Sequence, residues 1–387
     1  MTQSSKASGP LEGILVIDLS RILAGPYCTL LMAEMGARVI KVEPPKGGDD
    51  ARAYGPFVNG KSTYFASVNR GKESIALDLK NDEHKKIFEK LLAKADVVVE
   101  NFRPGTMEKL GFGWETLHAK FPKLIYASAS GFGHTGPNSK DPAYDMVMQG
   151  QGGIMSITGN EGQPPSRVGM SIGDIGAGLY TAVAVNAALV HRLKTGESTK
   201  VDIAMFDCQL ALLENAIMRY TVEKEIPGPL GARHPTITPF EAFATSDGAI
   251  IIAAGNDSLF IKMCEALGRS DMATDPNYKS NALRQKSQKK LKHEIESVLK
   301  DNTTDHWIDV VSKGGVPCGP INNIAQAIEH PQVAARNMLV SVPDGSGGTL
   351  TLAGNPLKMS AFDDPKTRKA APDLDADRAG ILSFLGG

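Results

Sequence analysis

Apolar residues in the first third of the chain come in short continuous blocks, each closed by small polar residues. Residues 13–20, GILVIDLS, form the first block, a pattern that predicts a strand buried on both faces of a parallel sheet. Gly25 and Pro26 then open TLLMAEMGA, whose apolar positions recur at helical spacing and stop at Gly36. RVIKVE (38–43) predicts the next strand, and the Pro/Gly-rich segment 44–62 a loop at its carboxyl end. SIALDL (74–79), an amphipathic helix over 82–94 and DVVVE (96–100) repeat the alternation, and LIYASAS (124–130) adds a further strand. Strands alternating with helices predict a Rossmann-like open α/β sheet. Ligands of such sheets sit beyond the carboxyl ends of the strands. The loops 21–26, 44–72, 101–106 and 131–145 are therefore where chemistry is expected.

Farther along, the pattern changes. A long helix rich in small residues is expected from just after Asp174 to about Leu193, then a turn at LKTGES (193–198), a short strand KVDIAM (200–205) and a helix over 206–222. IPGPLGARHP (226–235) reads as a linker. PFEAFATSDGAIIIAAG predicts a hairpin turning at Ser246-Asp247-Gly248, with helices after it over 257–267, 282–300, 304–314 and 323–329. The expected organisation is a large α/β domain over 1–225, a smaller α+β domain over 226–330, and a segment 331–387 that returns a strand, TLTLAG, to the large domain.

At 387 residues the chain exceeds what one small core usually holds, which fits two domains. Lys+Arg number 42 against Asp+Glu 43, so no global field favours nucleic acid, and an anionic ligand needs a local basic pocket. The opening MTQSSKASGP lacks the apolar core of a signal peptide. Residues 179–190 are apolar but short of the ~20 needed to cross a bilayer, so a buried helix and no membrane association are expected. Cys28, Cys208, Cys264 and Cys318 form no CxxC pair, which argues against a zinc site or a disulfide framework. No metal is expected, and a cytoplasmic enzyme is the broad class that remains.

The turn after the first strand, SRILAGPY, has no GxGxxG, and the chain contains no HExxH. A dinucleotide site at that first turn and zincin chemistry lose their sequence support. PPSRVGMSIGDIGAG (164–178) stands out, with Asp174 alone among glycines just before an apolar helix. One reading is a helix N-cap. The other is a carboxylate nucleophile with little steric cover, kept ionised by the helix and served by glycine N–H groups as oxyanion donors. Asp145, Asp202 and Asp207 are rival carboxylates, the last two read as structural. Tyr144 either donates a hydrogen bond into a site or packs. Asn69, Lys72, Asn101 and Lys109 follow strands and offer groups for phosphate or adenine, though surface Lys and Asn are often only solvated. Phe102 either stacks on a ring or fills the core.

SRILAGP, ARVIKVEPP, NRGKESIALDLK, VVVENFRPGTMEKLG, ASASGFGHTGP, AYDMV, PSRVGMSIGDIGAGLY and GARHP occur in this order. Together they resemble the class III CoA-transferases, the family of formyl-CoA transferase and carnitine CoA-transferase. The likeness runs from about Leu11 to the tail and is greatest to the bacterial acetyl-CoA:oxalate subgroup. It implies an acyl-CoA donor, acetyl-CoA or formyl-CoA, and a small carboxylate acceptor such as oxalate. CoA is then a thioester substrate rather than a resident cofactor. The resemblance also implies an interlocked homodimer. It puts the acyl-carrying aspartate on Asp174, the active-site tyrosine on Tyr144, and CoA binding on Asn69, Lys72, Asn101, Phe102 and Lys109. His234, in GARHP, corresponds to a loop covering the site. Leu23 stands where formyl-CoA transferase has an active-site glutamine, Tyr54 where it has a loop tryptophan, and the glycine-rich lid is shorter. Three other readings stay open: a CoA-transferase using succinyl-CoA or another small dicarboxylate, an α-methylacyl-CoA racemase of the same fold, whose His-Asp pair is here Tyr144-Asp145, and a CoA-binding protein without turnover.

Overall fold

The computed structural model describes residues 9–386; residues 1–8, most of the opening segment to which the signal-peptide expectation applies, lie outside the described residues. The chain divides into two compact units. The first takes in the chain up to Met155, Arg167–Ile226 and everything from Pro331 onward; the second is Ser156–Ser166 with Pro227–His330.

In the first unit, six strands pair in parallel: β1 (Leu15–Asp18), β2 (Arg38–Glu43), β3 (Glu73–Ala76), β4 (Val97–Glu100), β5 (Ile125–Ser130) and β6 (Lys200–Ala204). Their order is β3-β2-β1-β4-β5-β6, with Val16 opposite Val39 on one side and Val97 on the other. This is the doubly wound order, and the chain reverses direction across the sheet between β1 and β4. The helices that matter here are α1 (Ala24–Glu34), α2 (Thr63–Asn69), α3 (Asp82–Lys94), α4 (Asp145–Gln151), α5 (Ile172–Thr195) and α6 (Met205–Leu212).

The two-residue strand period explains why both faces are apolar. Along β4, Val97 and Val99 enter a core with Cys28 and Leu31 of α1 and Ala182 and Val185 of α5. Val98 points the other way, to Phe88 and Leu91 of α3 and Ile381 of a C-terminal helix. Each such buried side chain contributes roughly 1.5–3 kcal/mol. The tail is fastened to the edge strand: the carboxylates of Asp377 and Asp375 accept the N–H groups of Ser74 and Ala76, at 2.8 and 2.7 Å. The expected strand at 349–354 is Thr349–Ala353, paired antiparallel with Leu339–Pro343 in this same unit.

α5 is long and apolar enough in composition to cross a membrane. It packs instead against α1, β5 and β6, with Ala177, Val185 and Leu189 buried. Its glycines allow the approach: a Cβ on Gly178 would sit 2.7 Å from the Ala24 carbonyl oxygen.

Two expected helices are each broken. Residues 206–222 divide at Leu213 (φ −95°, ψ 24°), and 282–300 at Ser287 (φ −103°, ψ 16°). In each a single residue leaves helical geometry, which hydrophobic spacing does not register. Segment 156–166, expected in the large domain, belongs to the second unit. Ser166 N–H reaches the Thr158 carbonyl (3.0 Å), and Gly231 N–H reaches the Gly159 carbonyl (2.8 Å).

The second unit carries an antiparallel sheet of Phe240–Ala244, Ala249–Ala253 and Cys318–Pro320. The first two strands form the expected hairpin. The third, three residues long and ending in Gly-Pro, is too short to show alternation. Phe243, Ile250, Phe260, Leu291 and Trp307 form this unit's core.

Candidate active site

The reversal between β1 and β4 puts the loops after both strands side by side. The loop after β1 is tightly specified. Ile22 has φ +68°, a left-handed conformation that β-branched residues rarely adopt. Its N–H donates to Asp49 Oδ1 at 3.0 Å. Arg21 N–H donates to Asn101 Oδ1, and Asn101 Nδ2 donates to the Arg21 carbonyl, both at 2.8 Å. Beneath the loop, Lys41 Nζ donates to the Ser20 carbonyl (2.7 Å) and pairs with Asp49 (2.8 Å). Asp18 accepts from the hydroxyls of Ser20 and Thr29 and pairs with Lys72 at 2.9 Å. Burial alone would raise the Asp18 pKa; Lys72, Lys41 and the two hydroxyls outweigh it and hold the carboxyl well below the usual range.

Asp174 lies on the α5 side of these loops. The helix begins at Ile172 with Ser171 as cap, so Asp174 is the third helical residue and not the N-cap. It is half-buried. Burial first, and then the carboxylate of Asp145, push its pKa up to about 7. The helix end therefore does not set its pKa: desolvation and a like charge outweigh the helix contribution of about 0.3–1 kcal/mol. The Gly173 N–H is also not free as an oxyanion donor, because Asp145 Oδ1 accepts it at 2.8 Å.

The turn before Asp174 is held by α4. Gln149, fully buried, donates from Nε2 to Asp145 Oδ2 (2.8 Å) and to the Met170 carbonyl (3.2 Å), while its Oε1 accepts the Val168 N–H at 2.8 Å. Sequence reading missed Gln149, since a lone glutamine in a short helix carries no motif. It also missed Tyr64 on α2. That phenol is pushed up to about 12, by burial first and then by Asp174, which places it within electrostatic reach of the carboxylate.

The other expected residues fall into distinct places. Tyr54 packs edge-on against Tyr64, ring centroids 5.9 Å apart. Leu23 is buried at the start of α1. Tyr144 is 71% exposed and leads directly into Asp145. Phe102 lies beside the switch point, with the Arg21 guanidinium 5.6 Å over its ring. Lys109 is exposed on the helix Thr106–Leu110. Lys72 and Asn69 depart from the expectation of a ligand-facing surface, because both are enclosed. The Lys72 ammonium donates to Asp18, Thr29, Asn69 and the Pro26 carbonyl, so its donors are consumed inside the protein. Asn101 likewise spends its amide on the Arg21 backbone. In the second unit, His234 accepts the N–H groups of Thr236 and Ile237 at Nδ1 and stacks on Phe240. Of the rival carboxylates, Asp202 accepts the His134 N–H, and Asp207 is exposed.

A second buried acid lies at the end of β4. Burial pushes Glu100 up to about 7, although it accepts the Phe102 N–H (2.7 Å) and the Tyr126 hydroxyl (3.0 Å). No cluster of His, Cys, Asp or Glu suited to a metal occurs among the described residues. A cavity of about 670 Å³ lies at the opposite end of α1, lined by Glu34, Arg70, Asn355, Phe362 and Arg368, and none of the candidate residues borders it.

Comparison with known proteins bears on what this arrangement does. The pattern of CoA-transferase family III matches residues 11–378. The chain is 45% identical to the acetyl-CoA:oxalate CoA-transferase of Acetobacter aceti, over 98% of this chain and 97% of that protein. It is 41% identical to the succinyl-CoA:mesaconate CoA-transferase of Haloarcula hispanica, again over 98% and 97%. The crystal structure of a CAIB/BAIF family protein from Brucella suis, 38% identical, superposes with a TM-score of 0.85 over 98% of this chain and 100% of that one.

Proposed function

The chain belongs to CoA-transferase family III, and on that premise we propose that it moves coenzyme A from a small acyl-CoA, acetyl-CoA or formyl-CoA, to oxalate or a similar small carboxylate, with Asp174 as the acyl carrier. The observation that carries the reading is Asp174 itself: a half-buried carboxyl with no offsetting cation among the described residues, fixed on the first turn of α5. A carboxylate stripped of water and counter-ion is a stronger base and a better nucleophile than one in solution.

A carboxylate oxygen of Asp174 attacks the donor carbonyl carbon, the C–S bond breaks, and CoA leaves as thiolate. That thiolate attacks the aspartyl carbonyl of the mixed anhydride, giving an aspartyl-CoA thioester and releasing the donor acid. The acceptor carboxylate attacks the thioester, CoA leaves again, and the thiolate returns to the acceptor acyl group, freeing Asp174. One thioester is exchanged for another, so the sequence is close to isoenergetic. Anhydrides hydrolyse, and the burial of Asp174 limits the water that reaches them. Tyr144 and Tyr64 are the hydroxyls proposed to serve this site. Phe102 and Lys109 are proposed to meet CoA directly, and Asn69, Lys72 and Asn101 to shape its loops. Exposed apolar side chains on α5 and on Glu214–Glu223, among them Val183, Leu193, Met218 and Val222, support an interlocked homodimer as the working assembly. Light scattering should return twice the mass of one chain.

The deciding assay combines purified protein, acetyl-CoA and oxalate, with mass spectrometry for oxalyl-CoA. Product that disappears in Asp174→Ala is expected; transfer near the wild-type rate in that variant would overturn the role of Asp174. The relative named for succinyl-CoA and mesaconate favours a second reading, succinyl-CoA with a small dicarboxylate. A panel of donors and acids separates the two. Deuterium uptake into a 2-methylacyl-CoA would instead indicate the racemase chemistry.

A further inference from the structure

Asp145 is held more firmly than a side chain that merely fills space. It is 9% exposed and lies one helix turn from Gln149. Oδ1 takes the Gly173 N–H and Oδ2 the Gln149 amide, both at 2.8 Å. Gln149 in turn holds both Val168 and Met170. The residue after Gly173 is Asp174. The approach to Gly173 is close: a Cβ there would lie 3.0 Å from Asp145 Oδ1. A second carboxylate is therefore locked beside Asp174.

The groups around the pair do not offset it. α2 contributes the Tyr64 phenol, behind which stand Tyr54 and, acting on the same phenol, Asp49. Apart from the Asp145–Gly173 bond, the side chains packed where α1, α4 and α6 meet α5 include Ala24, Met148, Met205, Ala177 and the Cys208 thiol, with the Tyr27 ring against Gly178. β6 contributes Ile203 to the same cluster. No cation acts on Asp174 among the described residues.

We propose that Asp145, braced by Gln149, is a positioning residue for acylation: it fixes the turn that carries Asp174 and, by its own charge, disfavours Asp174 as a bare carboxylate relative to Asp174 as a neutral acyl derivative. The proposal rests on reading Asp174 as the acyl carrier. When the Asp174 oxygen bonds to the donor carbonyl carbon and the C–S bond breaks, the negative charge leaves with the thiolate. The repulsion from Asp145 is relieved in the same step. The locked neighbour thus opposes ionisation and favours acylation by the same amount, as like charges at fixed separation must.

The test measures the Asp174 adduct by rapid quench and intact-protein mass spectrometry across pH 5–9, alongside a carbon-13 NMR titration of the labelled Asp174 carboxyl without substrate. Wild type should show an acid limb near pH 7. In Asp145→Asn the limb and the NMR midpoint should both move down by about one pH unit, and the adduct level above the limb should fall about tenfold. Gln149→Ala keeps the charge, so its limb should stay in place while its rate falls. Asp145→Asn sets two amides against each other; the pair Asp145→Asn with Gln149→Glu restores a donor–acceptor contact but moves the charge one helical turn along, so its limb should lie between those of Asp145→Asn and wild type. A limb that stays put in both Asp145 variants overturns the proposal, as does Gln149→Ala moving it equally. A wild type that shows the NMR midpoint but no adduct would mean instead that the acyl-carrier reading has failed.

Discussion

Asn101 and Arg21 meet through both halves of one side-chain amide: the Arg21 N–H donates to Asn101 Oδ1 and Asn101 Nδ2 donates to the Arg21 carbonyl, each at 2.8 Å. The pair joins the loops after β1 and β4 where the strand order reverses, next to the strained Ile22. Both hydrogen bonds of the Asn101 side chain therefore tie down the loop. Asn101→Ala should lower kcat/KM about tenfold or more by releasing that loop. Asn101→Asp keeps the acceptor for Arg21 and should recover part of the loss in a steady-state CoA-transfer assay.

Lys72 and Lys109 were expected to play one role, and the structure separates them. Lys72 is fully enclosed with Asp18. Lys72→Met should cost about 3–5 kcal/mol, because Asp18 loses its nearest cation while remaining buried. Lys109 is exposed, so Lys109→Ala should leave stability within about 0.5 kcal/mol and raise the KM for the acyl-CoA. Urea unfolding together with steady-state kinetics distinguishes the two.

The raised pKa of Asp174 has a sign that stability can read. The folded chain holds this proton up to about pH 7, whereas the unfolded chain releases it near 3.8. Between those values the native state binds more protons, so stability falls as pH rises through the window, and the full penalty is present above pH 7. Asp174→Asn should therefore stabilise the fold at pH 8 by roughly 2–4 kcal/mol and have little effect at pH 4. Glu100 titrates in the same direction, so part of the slope should persist in the variant. Thermal unfolding across pH 4–8 measures both.

Gly178 tests the packing that seats α5, the helix that carries Asp174. A Cβ there would lie 2.7 Å from a backbone oxygen of α1, which cannot rotate away. Gly178→Ala should lower stability by about 1–3 kcal/mol. Because α1 begins just after the β1 loop, transfer activity should fall further than stability alone explains.

The local signals of this chain were legible because they are local. The runs GILVIDLS, RVIKVE and DVVVE mark strands covered on both faces, and the hairpin at Asp247-Gly248 follows from its turn residues. Ordered short segments were enough to point to the family, and Asp174 stood out among glycines without any coordinates. The sequence could not rank β3-β2-β1-β4-β5-β6 over another parallel order, since each strand's apolar pattern is the same whichever neighbour it has. Nor could it show that Lys72 turns inward, that Asn101 spends its amide on Arg21, or that Gly173 gives its N–H to Asp145. Those outcomes depend on distances between segments up to 80 residues apart in the chain. The state of Asp174 was decided the same way: the helix that carries it is visible in the sequence, but the burial and the second carboxylate that override the helix exist only once α4 and α5 have packed.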